Sequence, residues 1–232
     1  MAIESQGAQV RRQSTAAGST ASVTAATIAF SSGSTNTISR SDAGSFIVDG
    51  FTTGMRLETI STVAGFESTN STRIYTVASV AATVMSVYEP VAAQSTGIAL
   101  TITGHAMSPI GNVTGFSGPS GSAQVIDVTH LGSTAKEKLI GIRDEGQVSL
   151  DILFDTASTS LHNAIRADKQ SRTRRIYDIK LTDQSTAAGS QPSAFYFDAY
   201  VTNFSITGAI DDAIKGSVTL ELSSAVRTIG KV

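Results

Sequence analysis

The chain has 232 residues and a mass of 24.0 kDa, more than a usual single domain and less than two full-sized ones. Its 17 basic and 19 acidic side chains leave a formal charge of −2, which offers a polyphosphate chain no overall attraction and speaks against ordinary nucleic-acid binding. Only 16% of residues are charged, 41% are hydrophobic and none is cysteine; this excludes disulfide frameworks, thiolate metal sites and cysteine nucleophiles, and no apolar run approaches the roughly 20 residues that span a bilayer. The chain reads as folded and soluble with no membrane partner, and Met1-Ala2-Ile3-Glu4 lacks the basic and then apolar pattern of a signal peptide.

Charge density divides the sequence. Residues 13–104 hold only eight charges in 92 positions and are about one third Ser or Thr, whereas residues 105–232 hold 12 basic and 13 acidic side chains. In the first stretch, short runs of Val, Ile, Thr and aromatics at 38–48, 55–63, 74–80, 83–87 and 98–102 predict strands, and Asp49-Gly50, Thr53-Gly54 and Ala64-Gly65 punctuate them. Turns about ten residues apart suit a small sandwich or barrel. The heptapeptide QSTAAGS occurs at 13–19 and again at 184–190, where its small residues suit loops.

The second stretch alternates more cleanly. Val148, Leu150 and Ile152 oppose Gln147, Ser149 and Asp151, and Val218, Leu220 and Leu222 oppose Ser217, Thr219 and Glu221, so each strand has one buried face. Further strands are expected at 123–128, 176–181, 195–201 and 204–209, with Gly208 as a bulge or bend. One helix is predicted over 156–168, capped by Asp155 or Thr156, with Leu161, Ala164 and Ile165 on one stripe and Lys169 and Arg172 at the negative end of its dipole. Between strands lies a sign-alternating segment, residues 131–146, of about 16 residues. A loop of that length is usually functional, and its charges suit contact with another subunit. Its candidate contact residues are Leu131, Gly132, Ser133, Lys136, Glu137, Lys138, Arg143, Asp144 and Glu145.

Catalysis finds little footing. The three histidines, His105, His130 and His162, form no metal-ligand spacing with each other or with acids. Gly118-Pro119-Ser120-Gly121-Ser122 is better explained as a turn than as a nucleophile elbow, because it precedes a strand rather than linking strand to helix. The basic cluster Arg166, Lys169, Arg172, Arg174 and Arg175 suits a helix end and subunit contact. No enzyme activity, cofactor or metal is expected.

Three ordered blocks, Ile110-Gly111-Asn112-Val113-Thr114-Gly115-Phe116-Ser117-Gly118-Pro119-Ser120-Gly121-Ser122-Ala123, Val125-Ile126-Asp127-Val128-Thr129-His130-Leu131-Gly132-Ser133 and Arg143-Asp144-Glu145-Gly146-Gln147-Val148-Ser149, together with the helix and the closing Tyr200-Val201-Thr202-Asn203-Phe204-Ser205-Ile206-Thr207-Gly208-Ala209-Ile210-Asp211-Asp212, closely resemble tail tube proteins of long-tailed bacteriophages. The opening Ala2-Ile3-Glu4-Ser5-Gln6-Gly7 fits the same pattern. The resemblance implies a mainly β fold: a β-sandwich with one flanking helix, contributing strands to a hexameric β-barrel. It also implies rings that stack into a tube conducting the genome from capsid to host, with the segment 131–146 reaching a neighbouring ring. The implied partners are further copies of the chain, the tape measure protein, the tail tip or baseplate, the tail terminator, and DNA as a non-specific passenger. The implied location is the tail of a virion made in the host cytoplasm.

The resemblance covers 1–12 and 106–232, which predicts a discontinuous tail tube domain carrying residues 13–105 as an inserted small β module on the tube exterior. An insert of that length folds by itself and brings its ends together. A passage for DNA needs a polar, non-adhesive lining, for which Gln147, Ser149, Asp151, Ser217, Thr219 and Glu221 are the candidates. The alternative expectation is an adhesin that binds host carbohydrate or receptor through residues 13–105.

Overall fold

The computed structural model describes residues 7–25, 27–61, 66, 68–94, 100–157, 160–184 and 190–230. The opening blocks at 1–6, positions 62–65 and 98–99 of expected strands and turns, and most of the second QSTAAGS copy lie outside the described residues. The chain divides into two compact units, one within Met1–Pro109, Ile176–Tyr196 and Arg227–Val232, the other within Ile110–Arg175 and Phe197–Val226.

The first unit opens with β1 (Gln9–Gln13) and continues through β2 (Thr20–Ala25), β3 (Ile28–Ser31), β4 (Asn36–Arg40), β5 (Arg56–Ile60), a single-turn α1 (Ser68–Thr72), β6 (Tyr75–Val80), β7 (Val84–Val87), β8 (Leu100–His105) and β9 (Met107–Pro109). Seven of these strands form one antiparallel sheet in the order β2-β8-β5-β6-β7-β4-β3. Its core is drawn entirely from residues 21–102, with Ile38, Phe46, Leu57, Tyr75, Val77, Met85 and Ile102 wholly buried. β2 and β3 escape the sequence reading because Ser, Thr and Ala leave them only Val23, Ile28 and Phe30 as large apolar residues.

The strand expected over 38–48 stops at Arg40. The Arg40 side chain folds back onto the following turn: its Nε donates to Asp42 at 2.5 Å, its Nη1 donates to Asp49, and its guanidinium lies 5.1 Å from the centre of the Phe46 ring. A Cβ on Gly44 would sit 2.0 Å from that guanidinium, so only glycine admits the clamp. The two ends of the stretch meet: Gln13 Nε2 lies 3.0 Å from His105 Nδ1, and Ser14 N–H donates to the Ala106 carbonyl at 2.8 Å.

Around β1 the same unit adds β14 (Arg175–Lys180) on one side and β9 on the other, both antiparallel. β17 (Arg227–Ile229) pairs with the first residues of β15 (Ala194–Thr207), and Ile74, Ile176, Ala194, Tyr196 and Ile229 make a second small core. Asp178 of β14 is fully buried and binds two guanidiniums, accepting from Arg11 Nε at 2.7 Å and from Arg56 Nε at 3.1 Å. Arg56 Nη1 also donates to Thr76 Oγ1, and Glu89 accepts from the Thr76 N–H and hydroxyl at 2.5 and 2.6 Å. Burial lowers the Arg56 pKa and raises that of Glu89.

The second unit contains β10 (Val113–Ser117), β11 (Ser122–Asp127), β12 (Lys138–Asp144), β13 (Gln147–Leu153), α2 (Leu161–Ser171), the latter part of β15, and β16 (Lys215–Leu222). Its sheet runs β10-β13-β16-β15, antiparallel throughout. Two expectations change here. The strands foreseen at 195–201 and 204–209 are one 14-residue strand, and the irregularity lies between Val201 and Asn203 rather than at Gly208. The helix begins at Leu161, because Ser160 is the residue whose side chain accepts from a first-turn N–H, that of His162 at 3.2 Å. Asp155 instead accepts from Ala157 N–H at 2.9 Å, holding a turn ahead of the helix. Arg172, with φ 53°, ends the helix in the left-handed conformation.

Candidate assembly surface

The sheet of the second unit has two chemically opposite faces. Val148, Leu150, Ile152, Val218 and Leu220 are buried on one side. On the other, strand register lines up rungs of polar side chains: Gln147 opposite Glu221, Ser149 opposite Thr219, and Asp151 opposite Ser217. Directly paired residues point the same way from a pleated sheet, so the six polar candidates share one face. Register adds residues the sequence did not reveal: Ser117 beside Ser149, and Tyr200, Asn203 and Ser205 beside Glu221, Thr219 and Ser217. The Gln147 amide donates to Glu221 at 2.7 Å, fixing one rung. Hydroxyls and amides dominate this face; its charges are Asp151, Glu221 and, on the last rung, Lys215, whose ammonium donates to Asp212 at 2.7 Å.

α2 covers the other face near one end of the strands. His162 stacks on Phe154 with ring centres 6.0 Å apart, and Phe154 meets Phe204 edge-on at 5.9 Å. His162 is spoken for on both nitrogens: Nδ1 accepts from the Asp155 N–H at 3.0 Å, so Nε2 carries the proton and donates to the Gly111 carbonyl at 2.8 Å. It is a structural histidine. Beside the helix, Arg166, Lys169, Gln170, Phe204 and Ile206 line a shallow hollow of about 410 Å³.

The segment 131–146, expected as a loop, is mostly something else. β12 pairs antiparallel with β11 in a two-stranded sheet of its own. The nine contact candidates therefore belong to a hairpin arm, with Leu131, Gly132, Ser133, Lys136 and Glu137 in its tip, Lys138, Arg143 and Asp144 in β12, and Glu145 in its neck. Strand rather than loop forms because Lys138, Leu139 and Ile140 mate with Asp127, Ile126 and Val125, and after a register shift Arg143 and Asp144 mate with Ala123 and Ser122.

The arm shows apolar side chains on both faces. Ile140 is 76% exposed, Ile142 95%, and Leu131 at the tip is completely exposed. An isolated two-stranded hairpin is marginal in water, and exposed apolar patches of this kind are candidates for contact with another protein surface. Arg143 pairs with Glu145 at 3.2 Å, and Ser133 donates to Glu137 at 3.0 Å, while Lys136 and Lys138 make no ion pair among the described residues.

The neck of the arm is built by glycines at close backbone crossings. A Cβ on Gly118 would lie 2.4 Å from the Gln147 carbonyl oxygen, one on Gly121 2.7 Å from that of Asp144, and one on Gly146 2.5 Å from that of Ser120. Gly118 and Gly146 also have φ of 102° and 72°, which L side chains rarely adopt. Asp144 accepts from the Gly146 N–H at 2.9 Å. The residues that resembled a serine-nucleophile motif thus serve this crossing, and Ser120 donates to the Gln147 carbonyl at 3.1 Å.

Among the described residues no group of three His, Asp or Glu side chains is arranged to hold a metal ion, and no helix is long and apolar enough to cross a membrane. The notable surfaces are the polar sheet face and the apolar arm, features of a protein that is built into something larger. The family model for the phage tail tube, TTP, lambda-like, matches residues 66–232, and the chain belongs to that family. It is a structural protein of the phage tail. The chain is also similar to a chain in the cryo-EM structure of the anti-feeding prophage baseplate, 6-fold symmetrised, at 9% identity over 78% of this chain and 95% of that one, with a TM-score of 0.42. No curated protein matches it significantly. The adhesin alternative finds no support in these comparisons.

Proposed function

We propose that six copies close into a ring whose inner wall is a continuous barrel, that rings stack into the tail tube of a siphovirus, and that the tube conducts DNA during ejection. The observation that carries this reading is the amphipathic sheet of β10, β13, β16 and β15, whose solvent face is an in-register polar surface. Within that order β10 and β15 run antiparallel to each other. Laying β10 of one copy against residues 202–207 of the next therefore continues the same alternation around a ring, and closure removes the strand edges that a single copy leaves open. The polar face then lines the lumen. Its hydroxyls, amides and two carboxylates form few phosphate contacts, so sliding DNA releases few counterions and is not held.

The arm reaches a neighbouring ring, where its apolar side chains are covered. Residues 13–105 form an inserted module within a tail tube domain of 1–12 and 106–232. The module's self-contained core and joined ends support its folding as a body of its own, and it sits on the exterior, since a body of that size does not share a channel with DNA. In this role the chain performs no catalysis. Its partners are its own copies, the tape measure protein that the tube encloses, the tail tip or baseplate and the tail terminator, and it is made in the host cytoplasm before assembly. Electron microscopy of the purified full chain tests the reading. Six-fold rings or hollow tubes with outward knobs are expected; their absence even after addition of a tail-tip complex overturns it.

A further inference from the structure

The sheet of the second unit has two margins, β10 and the last part of β15, and on the face that α2 covers they are unfinished in the same way. Phe116 and Val113 of β10 pair with Leu150 and Ile152, while Phe204 and Ile206 of β15 pair with Val218 and Gly216. All four therefore stand on the apolar side of the sheet. Val113 and Phe116, three residues apart, share that side because β10 bulges between Val113 and Gly115, with Thr114 as the extra residue. Both are only half-buried, as is Phe204, and Ile206 is 46% exposed. Neither 110–118 nor 202–207 contains a charged residue.

α2 makes one margin a socket. Its start is tied to the β10 side, since His162 Nε2 donates to the Gly111 carbonyl at 2.8 Å, and its later turns reach β15. There Arg166, Lys169 and Gln170, spaced to share one stripe of the helix, line the hollow of about 410 Å³ together with Phe204 and Ile206. Phe116 of the same copy does not reach it, because β13 and β16 stand between β10 and β15, a gap of three strand spacings or about 14 Å. The next copy does reach it. When ring closure sets its β10 antiparallel to residues 202–207, Phe116 and Val113 arrive on the same face as Phe204 and Ile206.

We infer that Phe116 of one copy plugs the hollow beneath α2 of its neighbour in the same ring, with Val113 packed against Ile206. This rests on the ring reading and names the side chains that seal each joint. Burying an aromatic knob supplies affinity beyond strand pairing. The knob also fixes register, because a slip of one residue would turn Phe116 to the polar face. The contact is heterologous, so every copy gives one knob and receives one around the ring.

Charge suits the same neighbour. Arg166 and Lys169 make no ion pair among the described residues, and the acid on their helix, Asp168, is buried against Arg175. The nearby turn 208–214 adds Asp211 and an Asp212 paired with Lys215, which leaves this margin with an excess of positive charge. On the β10 side Asp155 makes no ion pair among the described residues, and its N–H is linked through His162 to Gly111, two residues before β10. An incoming β10 thus brings an acid to the cationic margin.

The absence of cysteine from the chain makes a direct test available. Phe116→Cys with Phe204→Cys, and Val113→Cys with Ile206→Cys, are the two pairs. After mild oxidation of rings, at least one pair is expected to give a ladder on a non-reducing gel that climbs to six chains and stops, because the joint lies within a closed ring. Rings without cross-links in both pairs overturn the socket and leave the ring reading standing; a wild-type chain that forms neither rings nor tubes overturns both. Ile206→Lys decides where a cysteine pair does not assemble. Its melting is expected to match the wild type, since Ile206 is half-exposed in the single copy, while ring yield falls about tenfold as a third cation enters the hollow. Unchanged ring yield overturns the socket.

Discussion

The module and the arm use the same residue types to opposite ends. In the module Ile38, Leu57 and Ile102 are wholly buried within one seven-stranded sheet, while in the arm Ile140 and Ile142 lie open on a two-stranded one. The difference is one of sufficiency. Seven paired strands enclose a core, whereas two strands have no inside and leave their apolar side chains open. On the proposed reading the module folds for itself and the arm is covered only on assembly, so stability and assembly are expected to break separately.

The largest expected effect is on assembly. Gly146→Val places a branched side chain at a φ of 72° and a Cβ 2.5 Å from the Ser120 carbonyl oxygen, so the neck cannot close and the arm loses its direction. Tubes are expected to disappear from electron micrographs while the melting of the module core changes little. On the stability side, Asp178→Ala strands the buried Arg56 and the neighbouring Arg11 without their shared carboxylate. Removing one partner from a buried ion pair costs about 3–5 kcal/mol, which urea unfolding followed by circular dichroism reads as a lowered midpoint.

A matched pair sharpens the contrast. Leu57→Ala, in the buried core of the module, is expected to lower folding stability by about 2–5 kcal/mol through lost burial and the cavity left behind. Ile142→Ala, at 95% exposure, is expected to change it by no more than about 0.5 kcal/mol, yet to reduce tube yield. Equal loss of folding stability in both variants would show that the arm is stabilised within its own chain.

How far the sequence reveals each region follows from the same distinction. β13 and β16 are legible because alternation reports a strand with one dry face, and the six polar candidates follow directly from it. The arm is not, because Leu139, Ile140 and Ile142 are apolar on both faces and the glycines and charges around them imitate a loop. β15 reads as two strands since the irregularity after Val201 interrupts its period. Asn203 and Ser205 join the polar face only through their partners Thr219 and Ser217, a fact of register that no single strand contains. The helix start is ambiguous for a local reason: Asp155 and Ser160 are both capping residues, and only the commitment of Asp155 to the Ala157 N–H decides between them.

The smallest expected effect is a slope with pH. Burial raises the Glu89 pKa above the ordinary carboxylate value, against the hydrogen bonds from Thr76 that favour its charge. Between the unfolded value and the raised folded one, the folded chain holds a proton that the unfolded chain has released, so this group's contribution to stability is present at low pH and declines as pH rises through that window. Glu89→Gln keeps the shape and a carbonyl acceptor for Thr76 but removes the titration. Its unfolding midpoint is expected to vary less than that of the wild type from acid to neutral pH, while tube formation, assigned by the proposed reading to the arm and the sheet face, is expected to be unaffected. A midpoint that tracks the wild type at every pH would mean that the Arg56 charge offsets the burial of Glu89 in full.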